Sequence, residues 1–452
     1  MDISSEWGAI RLKILKNKQV LNRRNFLKWV GSGLAFSALR PFPLISQTDP
    51  PVENDLFWIK DIPLHPFVGK LGLNAHAGVD CLLQLMGRNG LKFYRSELPS
   101  ELCGPSGLIG PADVVLLKVN AQWKYRGCTN IDLVRGLIQR ILDHPDGFFG
   151  EVVIFENGQG RGSLYCDRMY GKNRTIYPDD RVHANAENEN HNYMYLVNEV
   201  FSDPRVSSYL LDPIRTTFIG DSDHVTDGYR RFQNVSYPCF TTAGGRRIEL
   251  REGIWNGEGY SDNLKLINIP VLKHHDKYGS EITASLKHFY GILSMSDGES
   301  NFRHYAGLGE TCGKMVAFIR APVLNIIDAI WVSHLSLRGY PQETTFRANQ
   351  LLASQDPVAL DYWAAKHILH PIDFNERHHP DFPGIDLWLS ESRDVINRNG
   401  GLYRPEHGVF VDKTTKNEWE MNVLDQSTPL FIREKLEEIH QLGRSKRGDI
   451  IK

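Results

Sequence analysis

The chain has no C-x-x-C pair: its six cysteines, Cys81, Cys103, Cys128, Cys166, Cys239 and Cys312, never come closer than 22 positions. Iron–sulfur clusters of the ferredoxin type and zinc ribbons need ligands on one short loop, so neither has local support, and an iron–sulfur cluster is not expected. In an oxidising compartment one or two disulfides are open to form, with pairing that spacing does not fix; plain buried thiols are expected for most. A G-x-S-x-G elbow and a P-loop are also missing, which leaves no obvious nucleophile or nucleotide cradle. Net charge is nearly absent, 52 basic against 54 acidic residues, so no nucleic-acid partner is expected. No apolar run reaches the roughly 20 residues of a membrane-crossing helix, and the main body is expected to be soluble. Internal repeats and low-complexity tracts are lacking too.

What is there is an ordinary globular composition, 41% hydrophobic and 23% charged over 452 residues, which excludes a disordered chain and suits one large core or two domains. The charge is unevenly placed. Residues 1–46 hold eight Lys/Arg and two Asp/Glu, leaving the remainder at −8. Within them, Asn22-Arg23-Arg24-Asn25-Phe26-Leu27-Lys28 precedes a weakly apolar run at 29–39 and then Arg40-Pro41. A basic pair, a short apolar stretch and a helix-breaking exit have the layout of an export signal. The segment resembles a twin-arginine signal, with Arg23 and Arg24 as the pair. That resemblance implies the twin-arginine export machinery as a partner, a periplasmic or otherwise exported location, and folding before export. Folding first raises the prospect of a cofactor inserted in the cytoplasm. No clean small-x-small cleavage site follows, so membrane association is expected only if the signal stays uncleaved.

Downstream, the pattern alternates. DVVLLKV at 113–119 is a short, nearly continuous apolar run, as expected for a strand buried on both faces. Thr129-x-x-Asp132 reads as a capping box, and Leu133, Val134, Leu137, Ile138, Ile141 and Leu142 recur at helical spacing. EVVIF at 151–155 is the next strand, completing a βαβ unit with parallel strands. Further strands are expected at 216–220, 264–272, 323–332 and 348–353. A helix is expected over 280–293, and another opens at Asp356-Pro357 and runs through His370. The fold class is therefore α/β, a mostly parallel sheet flanked by helices. Residues 1–46 form the signal region, 47–370 the α/β domain with a long insertion at about 158–210, and 371–452 a C-terminal extension packing on the core.

Ligands in open parallel sheets bind at the carboxyl ends of the strands. Polar residues fall at those ends here: Lys118 and Asn120, Glu156 and Asn157, Asp221 with Asp223 and His224, Lys273-His274-His275-Asp276, and Asp328. Ser280, Thr283 and Lys287 would share one face of the expected helix. Backbone N–H groups at a helix start, two lysines and hydroxyls suit a phosphate or carboxylate. The paired histidines with Asp276 suit a divalent metal instead, although alternation turns one of them away. Each residue has a plain structural role open to it. Asp356 reads first as a helix cap, Lys287 could be a solvated helix lysine, and His378 and His379 read as surface residues. Lys118, within a doubly covered strand, and Asp361, within an apolar helix, each need a buried partner.

These residues also carry a family resemblance. The chain resembles the domain of unknown function 362 (DUF362) family over roughly residues 75–370. Leu116-Leu117-Lys118-Val119-Asn120 matches its first strand end, with Val119 where the family has proline. Val153-Ile154-Phe155-Glu156-Asn157 matches its acidic strand end. Lys273-His274-His275, Gly279 to Gly291 and Ile326-Ile327-Asp328-Ala329 follow, with His288 in place of the family's asparagine. Ala353-Ser354-Gln355-Asp356-Pro357-Val358-Ala359-Leu360-Asp361 completes the pattern. Many relatives carry appended ferredoxin cysteines, which this chain lacks.

The resulting expectation is an exported enzyme with Lys273, His275, Lys287 and Asp361 as catalytic groups. Lys118, Asn120, Glu156, Asn157, Thr283, Asp328 and Asp356 would bind a small anionic ligand, and His274, His275 and Asp276 a divalent metal. In it, Lys273 and Lys287 neutralise the anion and His275 serves as acid/base or metal ligand. Asp328 and Asp361 orient the lysines or bind the ion. The rival expectation is a non-catalytic periplasmic protein that holds a metal or cofactor or assists maturation.

Overall fold

The computed structural model describes residues 55–67, 74–159, 162–167, 181–211, 227–275, 281–294, 297, 302–399 and 422–448. Val52–Lys452 is one compact unit. Arg23 and Arg24 lie outside the described residues, as do Asp221, Asp223 and His224, Asp276 and Ser280, and the strand expected at 216–220.

Among the described residues the main sheet has ten strands. In chain order they are β1 (Asp55–Lys60), β2 (Val114–Val119), β3 (Glu151–Asn157), β4 (Val206–Leu211) and β5 (Leu264–Ile269). Then come β6 (Val271–His274), β7 (Ile282–Thr283), β8 (Leu324–Ser333), β9 (Thr345–Ser354) and β10 (Asn422–Ser427). Eight of them lie in the order β10-β1-β9-β8-β5-β2-β3-β4, and β6 pairs with β7 and β8. Only β9 runs against its neighbours; every other pair along that path is parallel. Every residue of β2, β3 and β5 is buried; β2 and the middle of β3 read as apolar runs, while β5 also buries Lys265 and Asn268.

Helices cover the sheet: α1 (Ala77–Arg88), α2 (Ile131–Leu142), α3 (Ser285–Tyr290), α4 (Leu308–Lys314), α5 (Pro357–Ala364), α6 (Pro383–Asn399) and α7 (Thr428–Gly448). None of the described helices is long and apolar enough to cross a membrane. A second sheet of five antiparallel strands spans 228–261. Its Phe240 stacks on Phe155 of β3, with ring centroids 6.1 Å apart.

Several expectations need correction. Asn130, not Thr129, caps α2: its side chain accepts from Leu133 N, while Thr129 Oγ1 donates to Ile269 O at 2.7 Å. The third parallel strand is β4, inside the span read as an insertion. Its pairing with β3 outweighs the polar, aromatic composition that precedes it. The helix expected over 280–293 shrinks to α3, and Thr283 lies in β7 instead. Thr283 and Lys287 therefore share no helix face. The C-terminal extension does more than pack on the core, because β10 extends the main sheet alongside β1.

The chain order reverses direction between β2 and β5. From β2 the chain moves to β3 on one side, and from β5 it moves to β8 on the other. The carboxyl ends of β2 and β5 therefore flank a topological switch point. Pro270 sharpens it. Proline has no N–H to give the ladder, and past it the strand leaves β2 and continues as β6 beside β8.

Candidate functional site

At the end of β2, Lys118 Nζ lies 2.7 Å from Glu156 Oε1 of β3, and both are buried. Lys118 Nζ also donates to Val119 O at 3.1 Å. Glu156 accepts the backbone N–H of Asn157 (2.7 Å) and of Ala121 (3.1 Å). Burial pushes the Lys118 ammonium down and the Glu156 carboxyl up, while their mutual attraction opposes both shifts.

Lys273, near the end of β6, is buried as well. Its Nζ donates to Gly127 O at 2.7 Å. Burial pulls its ammonium down to about 7; Cys128 and Glu156 resist that shift and Lys118 adds to it. Lys273 and Thr283 face each other in Cα register across β6 and β7, so their side chains share one face of the sheet. Thr283 Oγ1 is buried and has no hydrogen-bond partner among the described residues. Native interiors rarely leave such a group unpaired. His288 of α3 stands behind, its ring held well below the usual range by burial and then by the charge on Lys118. Its Nδ1 lies 2.8 Å from Asn268 Oδ1. Asn268 Nδ2 donates to Ser285 O and Asn325 Oδ1, so the amide oxygen is the acceptor and His288 carries its proton on Nδ1.

The remaining site candidates divide. Asn120 Oδ1 accepts Val271 N at 2.9 Å, and Asn157 Nδ2 donates to Leu293 O at 2.8 Å, so both stitch strand ends to neighbouring backbone. Asp328 accepts Asn130 N (2.7 Å) and Ile330 N (3.1 Å), which anchors the start of α2. Asp361 of α5 accepts Ser285 N (2.6 Å) and Leu286 N (2.9 Å), which anchors the start of α3. Neither carboxylate orients a lysine through these bonds: each holds a helix start. Burial raises both carboxyls to about 7, against the pull of those N–H groups. Asp356 caps α5 through Val358 N and Ala359 N and is raised to about 6, again by burial. Lys287 is buried rather than solvated: its Nζ sits 3.3 Å from both ring nitrogens of His304 and 4.2 Å over the Tyr290 ring. It therefore belongs to a second neighbourhood, shared with Cys312 and Asp361.

The histidines correct a reading. His378 is completely buried, not a surface residue. Its Nε2 meets His274 Nδ1 at 2.9 Å, and Asp373 lies 3.4 Å from its other nitrogen. His275 turns its ring toward His304, 5.6 Å between centroids, so the two adjacent histidines diverge. Among the described residues no group of three or more His, Cys, Asp or Glu side chains is arranged to hold a metal. Asp276, the third of the expected metal ligands, lies outside the described residues. His378 had no readable signal, since a pair of histidines in a Pro-rich stretch looks like any loop.

Residues 257–366 match the family model of a domain of unknown function, DUF362. That span contains Lys273, Thr283, Lys287, Asp328, Asp356 and Asp361, whereas Lys118, Asn120, Glu156 and Asn157 precede it. No curated protein and no solved structure matches the chain.

Proposed function

We propose that this chain, which carries a DUF362 domain over residues 257–366, is an exported enzyme acting on a small anion in the crevice between Lys273 and Thr283. The observation that carries the reading is the buried Thr283 hydroxyl, without a hydrogen-bond partner among the described residues, in strand register with Lys273, whose buried ammonium is pulled down to about 7. Thr283 Oγ1 would donate to the ligand and protonated Lys273 would neutralise it. An amine that titrates near pH 7 is also suited to pass a proton to and from a bound substrate. The reaction class stays open, since no nucleophile is committed by this geometry.

Calorimetric titration of the full chain with inorganic phosphate and with citrate tests the site. Saturable binding of one of them is expected, weakened at least about tenfold by Lys273→Met. That factor is roughly 1.4 kcal/mol, the scale of one charge-assisted hydrogen bond. Affinity should fall as pH rises through 7, where Lys273 loses its proton. Equal binding by wild type and Lys273→Met, or no binding of either anion, overturns the assignment.

Export rests on Arg23 and Arg24. Replacing both with lysine is expected to leave the protein in the cytoplasm on fractionation of the producing cell, and unchanged export overturns that part. The rival, a non-catalytic periplasmic holder of a metal or cofactor, draws support from the meeting of His274 and His378. Stoichiometric metal in protein purified from its native host, lost in His378→Ala and without anion binding, favours the rival.

A further inference from the structure

A cleft opens where the loop after β1, the starts of α1 and α2, the 186–187 segment and strands β8 and β9 converge. None of Lys118, Glu156, Lys273 and Thr283 lines it. Its space is about 290 Å³, mouth included, at the lower edge of small-molecule sites, so a guest must be small. His76 lines the cleft and caps α1, its Nδ1 accepting Val79 N at 3.2 Å. The ring proton therefore sits on Nε2. Burial holds the ring down to about 3, so it stays a neutral donor. That Nε2 is buried and has no hydrogen-bond partner among the described residues. Arg347 of β9 also lines the cleft, opposite Trp331 in the register of β8 and β9. Its guanidinium lies 5.4 Å from the Trp331 ring centroid and donates to Pro63 O at 3.5 Å. Among the described residues no carboxylate pairs with it. Asp132 and Glu187 complete the charged lining. Asp132 is buried and accepts Glu187 N at 2.6 Å, while the Glu187 side chain is exposed and pairs with His65.

We propose that this cleft binds a small zwitterion of the α-amino acid class. A buried donor without an acceptor and a guanidinium without a carboxylate call for the same guest group, a carboxylate. A simple anion would also meet Asp132 and Glu187, which repel it at close range. An ammonium on the same guest turns that repulsion into attraction. The guest carboxylate would take the His76 Nε2–H and the Arg347 fork, and its ammonium would sit with Asp132 and Glu187. Ile330 and Trp331, which also line the cleft, would cover a short apolar side chain.

This site does not depend on the Lys273 reading. Phosphate and citrate carry no ammonium and do not match the charge pattern of the cleft, so their binding and that of an amino acid report different places.

Calorimetric titration of the full chain with glycine and L-alanine, and with acetate and propionate as their counterparts without the ammonium, tests the site. Saturable binding of at least one amino acid is expected, about tenfold or more tighter than its counterpart, the scale of one charge-assisted hydrogen bond. Arg347→Met should weaken the amino acid by about tenfold or more on the same scale. Glu187→Gln removes one charge from an exposed side chain. It should weaken the amino acid several-fold and leave the simple carboxylate unweakened. Urea midpoints separate loss of the guest from loss of the fold, and if Arg347→Met does not fold, Glu187→Gln decides. No binding of either amino acid, a simple carboxylate bound as tightly, or an amino acid bound equally by wild type and Glu187→Gln, overturns the proposal. Phosphate bound without either amino acid would remove this site and leave the Lys273 site standing.

Discussion

Glu156→Ala is expected to lower the unfolding free energy by about 3–5 kcal/mol, the range for removing one partner of a buried ion pair. The carboxylate accepts from three donors, Lys118 Nζ and the backbone N–H groups of Asn157 and Ala121, in a place without solvent to replace it. Its loss strands an ammonium between β2 and β3 together with two polar groups of the main chain. Adding Lys118→Met to Glu156→Leu should recover much of the deficit, because the stranded charge goes with its partner while the orphaned N–H groups remain. Urea unfolding, with midpoints compared at constant slope, reads both. A single-variant loss under about 1 kcal/mol would mean the pair is wet and weak. A double variant as unstable as the single would mean the charge is not the cause.

Asp361→Ala should cost a similar amount at pH 5, about 3–5 kcal/mol for two buried N–H groups left without an acceptor. That cost should shrink as pH rises to 7. Burial raises the folded-state carboxyl to about 7, whereas in the unfolded chain it titrates near 3.9. Between those values the folded protein holds a proton that the unfolded chain has lost, so wild-type stability falls with rising pH in that window. The alanine variant lacks this group and escapes its share of the decline. At about 1.4 kcal/mol per unit the difference closes by a few kcal/mol. Asp328, shifted by the same cause, is present in both proteins and cancels. Denaturant midpoints at pH 4, 5.5 and 7.5 check the trend, and a cost that grows with pH would show that the N–H groups favour the anion strongly enough to outweigh burial.

The strands were readable because two-sided burial favours apolar runs, as at Val114–Leu117 and Val152–Phe155. Lys118 and Asp361 were readable as residues needing buried partners, since an ionisable group in such a run or helix must be compensated. The identity of the partner was not. Glu156 pairs with Lys118 through adjacency of β2 and β3, and Asp361 meets Ser285 and Leu286 across 75 or more positions. Thr283 misled for a related reason. Its spacing from Lys287 suits a helix, but pairing with β6 drew it into a strand, because hydrogen bonds across a sheet override a few tenths of a kcal/mol of local preference.

The amino-acid order by itself determined the α/β class, the parallel core strands and the cap at Asp356, for each depends on neighbours within a few positions. Tertiary structure alone decided that β9 runs antiparallel, that 422–427 closes one edge beside β1, and that His378 is buried against His274. Those outcomes turn on which distant surfaces meet when the chain collapses, and periodicity carries no record of that.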